Sequence, residues 1–371
     1  MKRTLLFLTA FLLVLSLTAW AAPQYKIGLT FDVGGRGDQS FNDSAYNGLV
    51  MIAKQYKGFI KDDPSKVNFG QDIELKYLEP KPGGQDREVI LRALAEDGYN
   101  LIIGVGFLYS DSLAKVAADF PDTHFGIIDG YIPDLEASSN ITCLGFAENE
   151  GSFLMGAVAG LMNKGGKVGF LGGMDIPLIH KFQGGFMAGA MYVNKALRKP
   201  GMILAQYCGK DPTDFNNPKM GESISVNFFK QGAAIIYHAA GGSGAGLFKA
   251  ANDLNKLAIG VDSDQGLIYA TSKSAEERKM AEHIVTSMLK RVDNAVFLTG
   301  KELIDTGKNV GGYVTFNLAN DGVGYALNQY NKKVMNPLVP KLEDLKKKII
   351  AGQIQVPDDD AKVADWAKTA F

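Results

Sequence analysis

The chain has 371 residues, with 39 Lys and Arg against 40 Asp and Glu, a formal charge of −1. At roughly 150 residues per domain, this length predicts two domains, each able to bury a core without disulfide or metal staples. The balanced charge argues against a generic nucleic-acid binder, and the 46% hydrophobic and 21% charged content against a disordered chain.

Glycine is in excess: 43 residues, about 12%, against a usual value of about 7%. No collagen-like period accounts for it, which predicts turns and loops that approach something closely.

The chain opens with Lys2 and Arg3, an apolar run from Thr4 to Thr18, and Ala19-Trp20-Ala21. This is the order of an export signal, with cleavage expected after Ala21. The apolar run is short for a membrane span, and an uncleaved anchor is the alternative. No cysteine lies near the cleavage site to carry a lipid.

Beyond it, short apolar runs alternate with helical patterns. Strands are predicted at Tyr25–Phe31, Ile73–Leu78, Leu101–Val105, His124–Ile128, Ile141–Phe146, Lys167–Leu171, Met202–Tyr207, Ala233–His238, Leu257–Val261 and Gly312–Phe316. Most are continuous apolar runs, the pattern of strands buried on both faces. Helices are predicted at Ser40–Tyr56, Asp86–Glu96, Ser152–Asn163, Ile179–Leu197, Ser243–Asn255 and Ala275–Arg291. Ser40 is the expected N-cap of the first. The last has acidic residues at its start, basic residues at its end, and a stripe of Met280, Ile284, Val285, Met288 and Leu289.

The alternation predicts an α/β protein of two doubly wound parallel-sheet lobes. Chain crossings are expected near 146–151, 262–266 and 298–302. The expected partition is a signal peptide over 1–21, a first lobe of 22–147 plus 265–299, and a second of 148–264 plus 300–371. Cys143 and Cys208 could form one bridge or remain two buried thiols. His124, His180, His238 and His283 are scattered singly, so no metal site is expected.

In such sheets, ligands bind at the carboxyl ends of strands. Those ends carry glycine, carboxylates and aromatics: Asp32 to Asp43 after the first strand, Gly106 to Asp111 after Leu101–Val105, Gly209 to Asn216, Ala239 to Gly244, and Asp262 to Gln265. Carboxylates accept hydrogen bonds from paired hydroxyls, and aromatic faces cover a flat ring, so the set suits a neutral polyol joined to a base. Crowded acidic residues disfavour phosphate. Nucleotide motifs are absent: Leu247 stands where the third glycine of the dinucleotide pattern belongs, and there is no P-loop. Asp32, Asp38 and Asp43 lack calcium-loop spacing, and no Gly-x-Ser-x-Gly elbow occurs. A periplasmic nucleoside hydrolase remains as an alternative, as does a binder of another polyol or sugar.

The run from Lys26 to Asn42 resembles the opening of the basic membrane protein family, whose members include the PnrA-like purine nucleoside receptors. Gly104-Val105-Gly106-Phe107, Phe215-Asn216-Asn217-Pro218, Tyr237 to Gly244, Ile259 to Gln265 and Thr286 to Asp293 continue the resemblance in order. It implies a type I periplasmic binding fold, two lobes joined by three crossovers that close over a nucleoside, with no catalysis and no cofactor. It further implies that Phe41 and Phe215 stack on the purine and that Asp32, Asn42 and Asp111 bind polar edges of the ligand. Gly241 or Gly242 would admit the ligand to the backbone. Asp262, with Asp264 as second choice, and Lys290 would hold the ribose hydroxyls. The partners implied are adenosine, guanosine or inosine and an ABC transporter permease, with the protein a periplasmic monomer.

Overall fold

The computed structural model describes residues 22–370, and the expected signal peptide lies outside the described residues. The first lobe begins with β1 (Tyr25–Thr30), α1 (Phe41–Gln55), β2 (Gly58–Ile60), β3 (Ile73–Leu78), α2 (Arg87–Glu96), β4 (Leu101–Val105), α3 (Ser110–Asp119), β5 (His124–Ile128) and β6 (Ile141–Phe146). The second follows with α4 (Glu148–Met162), β7 (Lys167–Met174), α5 (Pro177–Val193), β8 (Ile203–Gly209), α6 (Pro218–Lys230), β9 (Ala233–Ala239), α7 (Gly244–Asp253), β10 (Leu257–Asp262), α8 (Gln265–Ala270), α9 (Ala275–Ala281) and β11 (Ile284–Lys290). The chain then returns through α10 (Val292–Thr306) and β12 (Gly312–Phe316), and crosses again to β13 (Val323–Tyr325), α11 (Lys332–Met335), α12 (Val339–Ile350) and α13 (Val363–Thr369).

Two sheets result, in the orders β12-β6-β5-β4-β1-β3-β2 and β13-β11-β10-β9-β7-β8. All pairs are parallel except β11 with β13. Every residue of β4 and β5 is buried, as their unbroken apolar runs require when helices cover both faces of a sheet. All ten predicted strands are present. β2, β11 and β13 were not foreseen.

The expected helix over Ala275–Arg291 is a helix, a turn and a strand. α9 starts at Ser274, whose Oγ accepts the amide of Glu277 at 3.3 Å, and stops at Ala281. The remainder pairs with β10 as β11. The stripe suits a helix equally well, but Thr286 and Ser287 are buried too, which a half-exposed helix would not allow. Thr286 Oγ1 donates to Ala326 O at 2.7 Å, and Ser287 Oγ accepts the amide of Gln265 at 3.1 Å.

This strand moves the expected partition. Residues 265–290 stay with the second sheet, because β10 and β11 are neighbours in it. β12 belongs to the first sheet, paired with β6, and not to the second lobe. α10 packs on α1, where a Cβ added to Gly48 would lie 2.6 Å from that of Val296. The crossings therefore fall between β6 and α4, between β11 and α10, and between β12 and β13. The first agrees with the expected place. The other two come later in the chain, since an unrecognised strand had to be completed first.

Cys143 in β6 and Cys208 in β8 are free, buried and in different sheets. Among the described residues, no helix is long and apolar enough to cross a membrane.

Candidate ligand-binding site

The carboxyl ends of both sheets face one cleft, which encloses about 700 Å³ of empty space, part of it open to solvent. Of the expected residues, Asp32, Phe41, Asn42, Phe215, Gly241, Gly242, Asp262 and Lys290 line it. Asp111 and Asp264 do not. Asp111 is exposed on the first turn of α3, beyond the lining residues Gly106 to Leu108. Asp264 caps α8: its Oδ1 accepts the amide of Leu267 at 3.0 Å, and both its oxygens accept from Asn328 Nδ2.

The loop after β1 is held by its own side chains. Ser40 stands at the N-cap position of α1, but its hydroxyl does not cap. Asp38 does so, its carboxylate accepting the amides of Ser40, Asn42 and Asp43 at 2.8–3.1 Å. Asn42, 1% exposed, accepts the amide of Asp32 through Oδ1 and donates through Nδ2 to Val33 O and Asp38. Asn42 thus fixes the loop as well as lining the cleft, and Phe41 beside it is set at the start of a rigid helix.

Asp32 accepts the amide of Val33 and the guanidinium of Arg87, both at 2.8 Å and both on Oδ1. Burial pushes its carboxyl up, with Arg87 opposing. Gly106 faces it with φ of 113°, and a Cβ there would collide with Asp32 Oδ2, so only glycine fits.

The freed Ser40 hydroxyl crosses to the other lobe, donating to Asp262 Oδ2 at 2.6 Å. Ser263 Oγ donates to Ser40 O at 3.0 Å, and Gln265 Nε2 to Gln39 O at 3.2 Å. The lobes therefore touch along one side of the cleft. Burial pushes Asp262 up to about 7, against the opposing pull of Lys290 and Ser40.

Lys290, 2% exposed, ends β11. Its ammonium lies 2.6 Å from Asp129 and 3.1 Å from Glu148, carboxylates at the end of β5 and the start of α4. The rings of Phe41, Phe146 and Phe182 surround it at 5.0–5.4 Å, within cation–π range. Sequence reasoning missed Asp129, Glu148 and Phe182. Asp129 carries the signal that singled out Asp32 and Asp262, an acid directly after a buried strand. Glu148 falls in the expected crossing at 146–151 and Phe182 within a helical pattern, and neither carries such a mark.

Phe215 enters from the turn Pro212–Asn216, which Asp211 and Asp214 fix as a capping box. A Cβ on Gly173 would collide with its ring. Beside the cleft, His180, Asp359 and Asp360 bring ligand-type atoms within 4.8 Å of one another. They are already engaged: His180 meets Asp360 at 2.6 Å and Asp175 at 3.1 Å, and Asp359 accepts the amide of Ala361.

The matching family model is Bmp, described as "ABC transporter substrate-binding protein PnrA-like", over residues 26–360. The chain is 32% identical over 351 residues to the CD4+ T-cell-stimulating antigen of Listeria monocytogenes, covering 91% of this chain and 89% of that one. It is 30% identical over 344 residues to the ABC transporter nucleoside-binding protein BmpA of Lactococcus lactis, covering 90% and 89%. A solved solute-binding protein of an ABC transporter system from Aeropyrum pernix superposes with a TM-score of 0.71 at 25% identity, covering 93% and 97%. The two lobes have the type I fold of periplasmic solute-binding proteins, and the chain belongs to the Bmp family of PnrA-like ABC transporter substrate-binding proteins.

Proposed function

We propose that the chain captures an unphosphorylated purine nucleoside outside the cytoplasmic membrane, in the periplasm, and presents it to its ABC permease. The observation that carries this reading is the pairing of two aromatic side chains, Phe41 from the first lobe and Phe215 from the second, with buried carboxylates in the same cleft. Two rings from opposite walls suit a flat base, and stacking on both faces is available only when the lobes come together. Asp129, Asp262 and Lys290 at the strand ends suit vicinal hydroxyls, which donate to carboxylates and accept from an ammonium.

Charge supports the same class. Lys290 already serves two carboxylates, so little positive charge remains for a phosphate. The Lactococcus relative is named for nucleoside binding, which agrees with this reading. Hinge closure is the mechanism: contacts made from both lobes favour the closed state by their differential affinity.

The test is mass spectrometry of the small molecule released when the purified protein is denatured, followed by calorimetric titration with adenosine, guanosine and inosine. A purine nucleoside released or bound supports the reading. Release of a free sugar, with no heat from any of the three nucleosides, overturns it.

A further inference from the structure

Asp32 has its two oxygens in different situations. Oδ1 is fully used, by the amide of Val33 and by Arg87 Nη2. Oδ2 has no hydrogen-bond partner among the described residues and lies against Gly106, which also lines the cleft. Arg87 does not line the cleft. It sits at the start of α2, its side chain 12% exposed, behind Asp32.

The fold invests in placing this guanidinium. Its Nη1 donates to Gly84 O at 3.1 Å, and Gly84 has φ of 67°. A side chain at Gly84 would collide with the guanidinium. The loop Lys81 to Asp86 thus bends around Arg87, and the amide of Lys81 closes it on Asp86 Oδ1 at 2.9 Å. On its inner side, the guanidinium lies 5.6 Å from the ring centre of Tyr109.

We propose that Arg87 is a positioning residue of the binding site, holding Asp32 ionised and rotated so that Oδ2 alone faces the ligand as an acceptor for an N–H of its base. This rests on the nucleoside reading above. A carboxylate so held accepts only. It favours a ring edge that presents an N–H and repels one that presents a lone pair.

The charged and titratable groups around Asp32 are Arg87 from α2, Asp38 in its own loop and Tyr109 after β4. Tyr109 is kept neutral by burial and donates its hydroxyl to Phe31 O at 2.7 Å. Asp38 is turned away, its oxygens taken by Asn42 and by the amides of α1. Arg87 is thus the charged group that favours the ionised form of Asp32 against burial, with the Val33 amide as a smaller aid.

The experiment has a part without ligand and a part with it. In ligand-free protein, carbon NMR follows the Asp32 carboxyl through a pH titration in the parent and in Arg87→Gln, with Asp32→Asn identifying the signal. The midpoint is expected to rise in Arg87→Gln, and an unchanged midpoint overturns the proposal whatever the ligand is. Calorimetric titration with inosine at pH 5.5 and 7.5 then reads function. Arg87→Gln is expected to weaken binding about tenfold or more. The loss should be larger at pH 5.5, because the acceptor protonates at a higher pH once Arg87 is gone. In the Asp32→Asn background, Arg87→Gln should have little further effect. Equal, pH-independent losses in both backgrounds assign Arg87 a merely structural role and overturn the proposal. A parent that binds no nucleoside defeats the functional reading alone, since the carboxyl titration stands without it. Should Arg87→Gln fold poorly, Arg87→Lys keeps the charge without the fork. It is expected to leave the midpoint near that of the parent and still to weaken inosine binding, and binding equal to that of the parent would overturn the proposal.

Discussion

Asp129 and Asp262 hold the same place in the two lobes. Each stands at the carboxyl end of the third strand counted outward from the lobe's first, in the orders β1-β4-β5 and β7-β9-β10. Each has φ of 62°, a left-handed conformation that costs a non-glycine residue about 1–2 kcal/mol. Aspartate tolerates it better than most residues, and the bend turns both carboxylates into the cleft. Lys290 binds Asp129 directly and acts electrostatically on Asp262, so one cation lies between acids from opposite walls.

Stacking is the first contribution to isolate. Phe41→Ala should lose about 1–3 kcal/mol of nucleoside affinity, the range for base–aromatic stacking. Calorimetric titration with the best-binding nucleoside measures it. An unchanged dissociation constant would remove Phe41 from the site.

The titration of Asp262 gives a pH dependence. Its carboxyl stands at about 7 in the fold, against about 3.9 for an ordinary aspartate. Below pH 4 it is protonated in both folded and unfolded chains. Between 4 and 7 only the folded chain keeps the proton, so this stabilising contribution falls as pH rises, and above 7 it is gone. Asn at this position does not titrate. Asp262→Asn should therefore gain stability relative to the parent on going from pH 5 to pH 8, by on the order of 2 kcal/mol. Urea denaturation at the two pH values reads it, and a difference that does not change with pH would contradict the assignment.

Ser40 and Asp262 form a buried bond between lobes. Ser40→Ala removes its donor and should cost about 1 kcal/mol of the closed state. Because only the closed form loses the bond, bound nucleoside should dissociate several times faster, with thermal stability of each lobe little changed. Stopped-flow displacement decides, and equal dissociation rates would mean that the bond does not hold the lobes together.

Removing the central cation is a harsher test. Lys290→Ala leaves Asp129 and Glu148 buried with, among the described residues, no opposite charge at hand except the half-exposed Lys181, 3.4 Å from Glu148. Breaking a buried pair from one side costs about 3–5 kcal/mol. Urea unfolding should show that loss in Lys290→Ala, partly restored by adding Asp129→Asn. A single variant as stable as the parent would show that the cluster contributes no net stability.

The parts visible in the sequence share a physical cause. A parallel strand buried on both faces reads as an unbroken apolar run, so β4 and β5 could be placed to the residue. Strand ends then located Asp32 and Asp262. β11 was hidden because its apolar residues also fit a helical period, and only the burial of Thr286 and Ser287 separates the two readings. Asp111 is spaced like a site residue but lies on the exposed side of a helix, a matter of rotation that spacing alone does not fix. The partners of Lys290 are remote in sequence: Asp129 carries the strand-end signal but nothing that ties it to Lys290, and Glu148 carries no local mark.

Glycine was misjudged for a related reason. The excess was expected at strand ends facing the ligand, at Gly34-Gly35, Gly172-Gly173 and Gly241-Gly242; Gly241 and Gly242 line the cleft, and the other four do not. Four others, Gly156, Gly160, Gly185 and Gly189, lie where α4 crosses α5. A Cβ on Gly156 would strike Phe186 O, one on Gly185 would strike Asn149 O, and one on Gly189 would strike Phe153 O. The two helices are in backbone contact, and α5 carries Ile179 and Phe182 into the cleft. Helix propensity alone favours Ala over Gly by about 1 kcal/mol, so the sign of a substitution is informative. Gly185→Ala should destabilise by about 1–3 kcal/mol, since a methyl forced into a closed contact must push the helices apart. Thermal melting measures the stability, and nucleoside titration should show weaker binding as Phe182 shifts with its helix. A variant more stable than the parent would mean that the helices have room for a methyl, and the close crossing would have to be abandoned.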